Sequence, residues 1–309
     1  MLSSASRVLR RELARAHSTA APPIDPASHC RQLVKKHDYE SFMVSKFWPA
    51  SLQDGYFALK AFSTELAMVQ DNVSAATLGA MRMQFWRDAV RDIYADRPPR
   101  HPIALSLHKT AKAANVPAYY LKRIIDARDE ELKTSSYPTT DALVTHAEGV
   151  SSNLLYALLA LRGLGASESL AHAASHLGVA QTLATLLRGL PFHAAHRRLP
   201  LPLDICARHN VQQEDVFRHG GTAGGIDAAV YDVAVLANDH LLTARDMFKD
   251  APGGKIPEAA MPVFLAGVPV ANFLAQLEKE NFDAFKPALG VRDWKLGWRI
   301  WIGYYRKMF

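Results

Sequence analysis

Cysteine and long apolar runs are both scarce in this chain of 309 residues. Its two cysteines, Cys30 and Cys206, lie far apart, and neither has a cysteine or histidine at metal-ligand spacing. A disulfide framework and a zinc ribbon are therefore excluded, and a reducing compartment is indicated. The longest apolar run, Leu154 to Leu161, is well short of the roughly 18 residues that a spanning helix needs. We therefore expect a soluble or peripheral protein.

The formal net charge of +6 at pH 7 is unevenly distributed along the chain. Half of it comes from the first twenty residues, where Glu12 is the only acid and the bases are Arg7, Arg10, Arg11 and Arg15. The remaining charge is too small and too scattered for a nucleic-acid-binding surface. We expect no nucleic-acid partner.

The N-terminal segment has the composition of a mitochondrial presequence, because it is rich in Arg and Ser and nearly free of acids. Its apolar residues and its arginines repeat every four positions on roughly opposite faces of a helix: Ala5, Leu9 and Leu13 against Arg7, Arg11 and Arg15. A disordered basic tail is the alternative. We predict a presequence and proline-containing linker over residues 1–24, and a single domain over residues 25–309.

From His29 onward apolar residues recur at helical spacing, and no segment shows the alternation of a strand. Proline and glycine divide this pattern into separate helices. The predicted helices cover residues 29–46, 51–71, 75–96, 102–113, 116–133, 139–163, 168–189, 226–249, 256–264, 267–281 and 291–308. The sequence therefore predicts an all-α fold with one helical-bundle domain.

Five segments form an ordered series of motifs. Tyr56–Phe62 has the sequence YFALKAF, Met81–Asp88 has MRMQFWRD, and His146–Val150 has HAEGV. Leu177–Arg188 has LGVAQTLATLLR, and Arg198–Pro202 has RLPLP. Together they resemble the squalene/phytoene synthase family, whose enzymes join two prenyl diphosphates head to head. The resemblance implies the isoprenoid-synthase type of helical bundle.

Two segments in the region of the first two motifs are similar to one branch of that family, the mitochondrial complex I assembly factor 6 group. They are Ala61–Ala67 and Met81–Trp86. The resemblance implies a role in the biogenesis of the respiratory NADH dehydrogenase. The implied partners are complex I subunits or other assembly factors. The implied location is the mitochondrial matrix, peripheral to the inner membrane.

Catalysis in this family requires two acidic clusters, because Mg²⁺ takes oxygen ligands and neutralises the diphosphate leaving group. Where the family has DDxxD, residues 67–71 of this chain have the sequence AMVQD, which keeps one acid, Asp71. Where the family has RDxxxD, residues 188–193 have the sequence RGLPFH, which has no carboxylate. Pro191 is also expected to end this helix. We predict a pseudoenzyme with no metal and no cofactor.

The degraded motifs predict a cavity that keeps its place in the fold. Its expected positions are Ala67, Met68, Asp71, Arg82, His146, Arg188, Gly189, Pro191 and His193. His146 stands where the family has an aromatic residue at the reacting centre. Replacing crowded carboxylates by small and apolar side chains predicts a drier, more apolar cavity. Such a cavity is able to hold an isoprenoid or lipid tail, with Arg82 and Arg188 as anion partners.

The densest acidic cluster lies elsewhere, at Asp126, Asp129, Glu130 and Glu131. Basic residues are interleaved with it at helical pairing distance: Arg123, Arg128 and Lys133. We interpret the cluster as a solvated helix end. A relocated metal site is the alternative.

The last predicted helix carries a continuous aromatic stripe formed by Trp294, Trp298, Trp301 and Tyr305. Arg299 and Arg306 are among the basic residues beside it. Aromatic residues at this spacing usually pack onto the helical body, and this is the first expectation. The alternatives are contact with a membrane surface, where aromatics lie at headgroup depth, and contact with a client subunit.

Together these patterns predict a non-catalytic assembly factor for mitochondrial respiratory complex I, acting at the matrix side of the inner membrane. Two alternatives remain open. One is an active prenyl-diphosphate condensing transferase with a rearranged site. The other is an isoprenoid- or lipid-binding protein that uses the cavity.

Overall fold

The structure, a computed structural model, describes residues 25–73, 75–134 and 136–309. These residues form helices and no strand. The predicted all-α class is therefore confirmed. The predicted presequence and linker, residues 1–24, lie outside the described residues.

The helices are α1 (Pro26–His37), α2 (Tyr39–Val44), α3 (Ala50–Ala67), α4 (Val69–Asn72), α5 (Ala76–Tyr94), α6 (Pro102–Ala114), α7 (Ala118–Lys133), α8 (Thr140–Ala147), α9 (Asn153–Leu161), α10 (Glu168–Arg188), α11 (Leu190–Ala195), α12 (Leu203–Arg208), α13 (Gln213–His219), α14 (Ile226–Asp246), α15 (Met261–Phe264), α16 (Gly267–Lys279), α17 (Pro287–Gly290) and α18 (Leu296–Arg306). Most of the long helices agree with the predicted ones to within a few residues. The prediction missed α11, α12 and α13, because helices of six or seven residues show too little periodicity to be recognised.

One predicted helix, 29–46, is in fact two, and the break between α1 and α2 falls at Asp38. The Asp38 carboxylate accepts a hydrogen bond from the backbone N–H of Ser41 at 3.1 Å, which caps α2. Asp38 itself has non-helical backbone angles. The resulting corner places Asp38 and Glu40 beside the cavity described below.

Helix α3 forms the centre of the core and packs against α1, α6 and α9. Residues 55–62 are buried on all sides, which explains why this segment is apolar around its whole circumference. Lys60 is the exception, since its side chain is only 3% exposed and lines the cavity. A charged group is therefore built into the most buried helix.

The predicted helix 139–163 is interrupted by a π turn over Glu148–Ser152. Thr139 caps its start, because its hydroxyl accepts a hydrogen bond from the N–H of Ala142. The π turn packs against α10 at Gly178, where a Cβ would lie 2.5 Å from the Ser152 nitrogen. Gly178 therefore permits a close contact of two backbones.

One segment in the described part of the chain, Met261–Lys279, is long and apolar enough to cross a membrane by length and composition. It comprises α15 and α16, and 61% of its most apolar window is buried within the protein. The buried helices of folded proteins share this composition. Here α16 packs against α10, α14 and α18, and it forms one wall of the cavity.

Candidate functional site

A cavity of about 400 Å³ lies between the α1–α2 corner, α7, α16 and the C-terminal halves of α3 and α10. Seven of the expected positions line it: Ala67, Met68, Asp71, His146, Arg188, Gly189 and His193. The fold thus brings the remnants of both acidic motifs to one cavity.

Two expected positions lie outside this lining. Arg82 is exposed on α5, because the neighbouring residues Met83 and Trp86 form the buried face of that helix. Arg82 is therefore not an anion partner in the cavity. Pro191 lies in the first turn of α11, and α10 already ends at Arg188.

The cavity is lined by four carboxylates, and only Asp71 belongs to the expected positions. Each of the four pairs with a basic side chain of the chain itself: Asp38 with Lys60, Glu40 with Arg188, Asp71 with Arg198, and Glu131 with Arg128. The N···O distances are 3.9 Å for Lys60–Asp38, 2.6 Å for Arg198–Asp71 and 2.7 Å for Arg128–Glu131. The acids at this site are neutralised by the protein.

Arg128 and Glu131 form the most buried of these pairs, together with two rings. The Tyr137 hydroxyl donates to the Glu131 carboxylate at 3.4 Å, and the His146 Nε2 lies 3.7 Å from the same oxygen. Burial raises the pKa of the Glu131 carboxyl, but the charge and hydrogen bond of Arg128 oppose this effect, and its pKa stays below the ordinary value. Burial lowers the pKa of His146 to about 4, so its ring is neutral at neutral pH. At neutral pH the Glu131 carboxyl is therefore ionised, whereas the His146 ring beside it is not.

The structure corrects two expectations about this region. Glu131 faces the cavity, whereas the exposed Asp126 and the buried Asp129 both pair with Arg87. The acidic cluster is thus not wholly a solvated helix end. The cavity is also more polar than expected, because Ser, Thr and Gln side chains line it together with the four ion pairs. Ala67 and Met68 line the cavity without making the whole of it apolar.

The residues present do not fit a magnesium site of the family type. At the second motif, Gly189 and His193 line the cavity without a carboxylate, and burial together with Arg198 lowers the pKa of His193. Across the described residues, no group of three or more His, Cys, Asp or Glu side chains is arranged to hold a metal ion. Oxygen ligands for a hard ion would first have to leave their arginine or lysine partners.

The aromatic stripe faces solvent, so the expected packing onto the helical body is wrong. Trp298, Trp301 and Tyr305 lie on α18, whereas Trp294 lies in the turn before it, because the helix begins at Leu296 and not at the predicted residue 291. The exposed fractions are 86% for Trp294, 62% for Trp298, 42% for Trp301 and 65% for Tyr305. The opposite face, formed by Leu296, Ile300 and Gly303, is buried against α16 and α2. Its small residues allow a close approach, since a Cβ on Gly303 would lie 3.1 Å from Val268. The helix docks through its aliphatic side and presents its aromatic side.

Within the stripe the rings contact each other. Trp298 and Trp301 are stacked with centroids 4.7 Å apart, and Trp301 and Tyr305 lie 4.8 Å apart. The Lys295 ammonium lies over the Trp294 ring at 5.1 Å. Arg306 is exposed at the end of the helix. An exposed apolar stripe with cations beside it has the pattern of an interfacial helix.

A squalene/phytoene synthase family model matches residues 34–301. The chain belongs to the squalene/phytoene synthase family. Among curated relatives, the NADH dehydrogenase (ubiquinone) complex I, assembly factor 6 of Rattus norvegicus is 40% identical over 96% of this chain and 87% of its own length. The phytoene synthase of Arthrospira platensis is 21% identical over 90% of this chain and 92% of its own length.

A solved structure of a dehydrosqualene synthase in complex with a ligand has a TM-score of 0.76 with this chain. It is 15% identical and covers 90% of this chain and 94% of its own length. The synthase fold predicted from the motifs is therefore confirmed. Family membership and similarity to the assembly factor 6 proteins are confirmed as well.

Sequence reasoning missed Lys60, Asp38, Glu40, Arg128 and Glu131 as cavity residues. A signal for Arg128 was present, because it continues the buried stripe formed by Leu121, Ile124 and Ile125 on α7. Asp38 and Glu40 gave no such signal, since their position depends on the break between α1 and α2.

Proposed function

We propose that this protein is a non-catalytic assembly factor for mitochondrial respiratory complex I that acts at the matrix side of the inner membrane. Its partners are complex I subunits or other assembly factors. Residues 1–24 serve as a mitochondrial presequence and linker, and residues 25–309 form the functional domain. The cavity positions of the synthase site are vestigial.

The observation that carries the non-catalytic part is the set of four ion pairs in the cavity. In a synthase, crowded carboxylates repel one another until a metal neutralises them. In this chain Lys60, Arg128, Arg188 and Arg198 supply the neutralising charge. The fold therefore needs no ion for charge balance. The four carboxylates that line the cavity are all paired with basic side chains, so none is free to hold the metal ions that would help a diphosphate to leave.

The assembly role is supported by the similarity to proteins named complex I assembly factor 6, at 40% identity over most of the chain. The phytoene synthase relative is much more distant, at 21% identity. The presequence pattern of residues 1–24 agrees with a mitochondrial location.

Attachment to the membrane surface is supported by the exposed stripe on α18. Trp294, Trp298, Trp301 and Tyr305 face outward, with Arg299 and Arg306 beside them. Trp and Tyr are the residues that favour the bilayer interface, and cations add attraction to anionic lipid. A client subunit bound to the same stripe is the alternative.

The catalytic alternative is tested with purified protein, Mg²⁺ and farnesyl or geranylgeranyl diphosphate. We expect no Mg²⁺-dependent consumption of either substrate above the background without protein. A synthase of the family serves as the positive control. Consumption that depends on both Mg²⁺ and Asp71 would contradict the non-catalytic assignment.

The assembly role is tested by deleting the gene and separating respiratory complexes on a native gel. We expect loss of mature complex I with the other complexes retained, and recovery when the full chain is restored. Normal complex I in the deletion strain would overturn the assembly role. It would leave the fold and the ion pairs of the cavity unaffected.

A further inference from the structure

A second depression, distinct from the cavity, lies beside the aromatic stripe. We call it the α18 groove. It is about 740 Å³ in volume and lies between the 3₁₀ turn at Ser45–Phe47, the end of α9, and the segment before α15. Tyr305 lines the groove and is also the last member of the stripe, where its ring contacts Trp301. The groove therefore opens at the edge of the surface that we assign to the membrane.

Three side chains that can donate hydrogen bonds line the groove. Trp48 is only 3% exposed, and in the described residues its indole N–H has no hydrogen-bond partner. An unpartnered buried N–H is costly and is rare in folded proteins. Tyr304 and Tyr305 also line the groove, and each can donate through its hydroxyl.

The groove is also positively charged. The Lys46 ammonium lies over the Phe42 ring at 4.8 Å and forms no ion pair within the described residues. Arg162 donates through Nε to the Ala259 carbonyl at 2.9 Å, which leaves its other N–H groups for a ligand. The one acid in the lining, Glu258, pairs with Lys307. Two cations therefore remain without a carboxylate.

Hydrogen-bond donors beside two cations that have no carboxylate partner fit an anionic ligand that only accepts, and the oxygens of a phosphate are acceptors of this kind. We propose that the α18 groove binds the phosphate of an anionic phospholipid headgroup while the lipid chains stay in the bilayer. The inference rests on the proposed membrane attachment, because the stripe must first bring the groove to headgroup depth. The contact between Tyr305 and Trp301 favours a lipid over a soluble phosphate ligand, since it joins groove and stripe in one surface.

The test measures flotation of the full chain with three kinds of vesicle. They contain phosphatidylcholine alone, phosphatidylcholine with phosphatidylglycerol, or phosphatidylcholine with a fatty acid at the same surface charge. The fatty acid supplies negative charge without phosphate. We expect tighter binding to phosphatidylglycerol vesicles than to fatty-acid vesicles.

The deciding variant combines Lys46→Gln with Arg162→Gln. We expect it to bind phosphatidylglycerol vesicles roughly tenfold more weakly or worse, because each cation near an anionic surface contributes to binding. Its preference for phosphatidylglycerol over fatty acid should disappear. The matched control combines Lys109→Gln with Lys122→Gln, which removes the same charge from exposed sites on α6 and α7. Tyr305→Phe removes one donor from an exposed side chain and should weaken the same preference without affecting the fold.

Two further results would separate failure of the headgroup site from failure of the membrane contact. If the groove variant and Tyr305→Phe both keep the preference for phosphatidylglycerol, the headgroup site is overturned while membrane attachment stands. If Trp298→Ala with Trp301→Ala leaves flotation on every vesicle unchanged, attachment through the aromatic stripe fails, and with it the route that brings the groove to the headgroups. Binding of inorganic phosphate to the groove with the affinity measured for vesicles would assign a soluble ligand and overturn the lipid proposal.

Discussion

At the scale of single residues, the buried surroundings of His146 determine its protonation state. Its ring is 8% exposed and lies against Tyr137, Glu131 and Arg128. Burial lowers its pKa to about 4, with Arg128 acting in the same direction and Glu131 opposing. The His146 ring is therefore neutral at neutral pH and packs against Tyr137.

The low pKa of His146 predicts a loss of stability in acid. The unfolded chain takes up a proton below about pH 6.5, whereas the folded protein takes it up only near pH 4. Stability is therefore fully present above the unfolded value and falls as the pH drops through this window, by about 3 kcal/mol in total. We expect His146→Phe to flatten the decline in unfolding free energy between pH 7 and pH 5, measured by urea denaturation. His219→Phe, at an exposed histidine, is the control. An unchanged slope would show that His146 is not the titrating group.

The cavity residues were predictable where a motif fixed their position and not where tertiary structure did. Counting along the family motifs placed Ala67, Asp71, Arg188 and His193 at one cavity, as the structure has them. The Arg128–Glu131 pair was missed because an i, i+3 pair of opposite charges is more common on a solvated face. Its burial depends on α7 packing against the π turn, which local pattern does not reveal.

At the scale of helices, the contact between α10 and the π turn depends on one glycine. A Cβ at Gly178 would meet the nitrogen and Cα of Ser152 at 2.5 and 2.6 Å, so the backbones would have to separate. We expect Gly178→Ala to lower the unfolding free energy by about 1–3 kcal/mol, as overpacked cores do. Gly290→Ala, at a helical position with nothing within 4 Å, should be close to neutral. Equal melting temperatures for the two variants would contradict this account.

The long helices could be predicted from sequence because their apolar residues recur at helical spacing or, in α3, cover the whole circumference. For α18, the sequence alone could not show which of its two faces is buried. The residues of its aromatic stripe and those of its aliphatic face both recur at helical spacing, and the aromatic residues have the larger side chains. The structure buries Leu296, Ile300 and Gly303, and the absence of a side chain at Gly303 allows close packing against Val268 of α16.

This arrangement also determines how α18 should be tested. Deleting residues 291–309 would remove Ile300 and Phe309 from the core, where Phe309 packs against Phe264. A loss of function in that variant would therefore reflect misfolding as much as lost contact. Substitutions confined to the exposed face avoid this difficulty.

The exposed face of α18 predicts a spectroscopic change on membrane binding. Of the five tryptophans, Trp298 and Trp301 lie on this face and Trp294 is exposed just before the helix, whereas Trp48 and Trp86 are buried. We expect tryptophan emission to shift to shorter wavelength when anionic vesicles are added, because the exposed indoles move from water to the bilayer interface. The variant with Trp294→Phe, Trp298→Phe and Trp301→Phe should show no shift while keeping the emission of its buried tryptophans. A shift that persists in this variant would place the contact elsewhere.

At the scale of the whole molecule, the proposed assembly role separates into a vestigial cavity and an active surface. The two can be separated in cells that lack the gene. Asp71→Asn removes the last acid of the first motif and leaves Arg198 without its partner, at a site where Asp71 is 37% exposed. We expect only a modest loss of stability and full recovery of complex I with this variant, measured on native gels. Trp298→Ala with Trp301→Ala, which leaves the core intact, should fail to restore complex I at equal protein level. The reverse result, with dependence on Asp71 and indifference to the stripe, would favour retained chemistry in the cavity over an assembly surface.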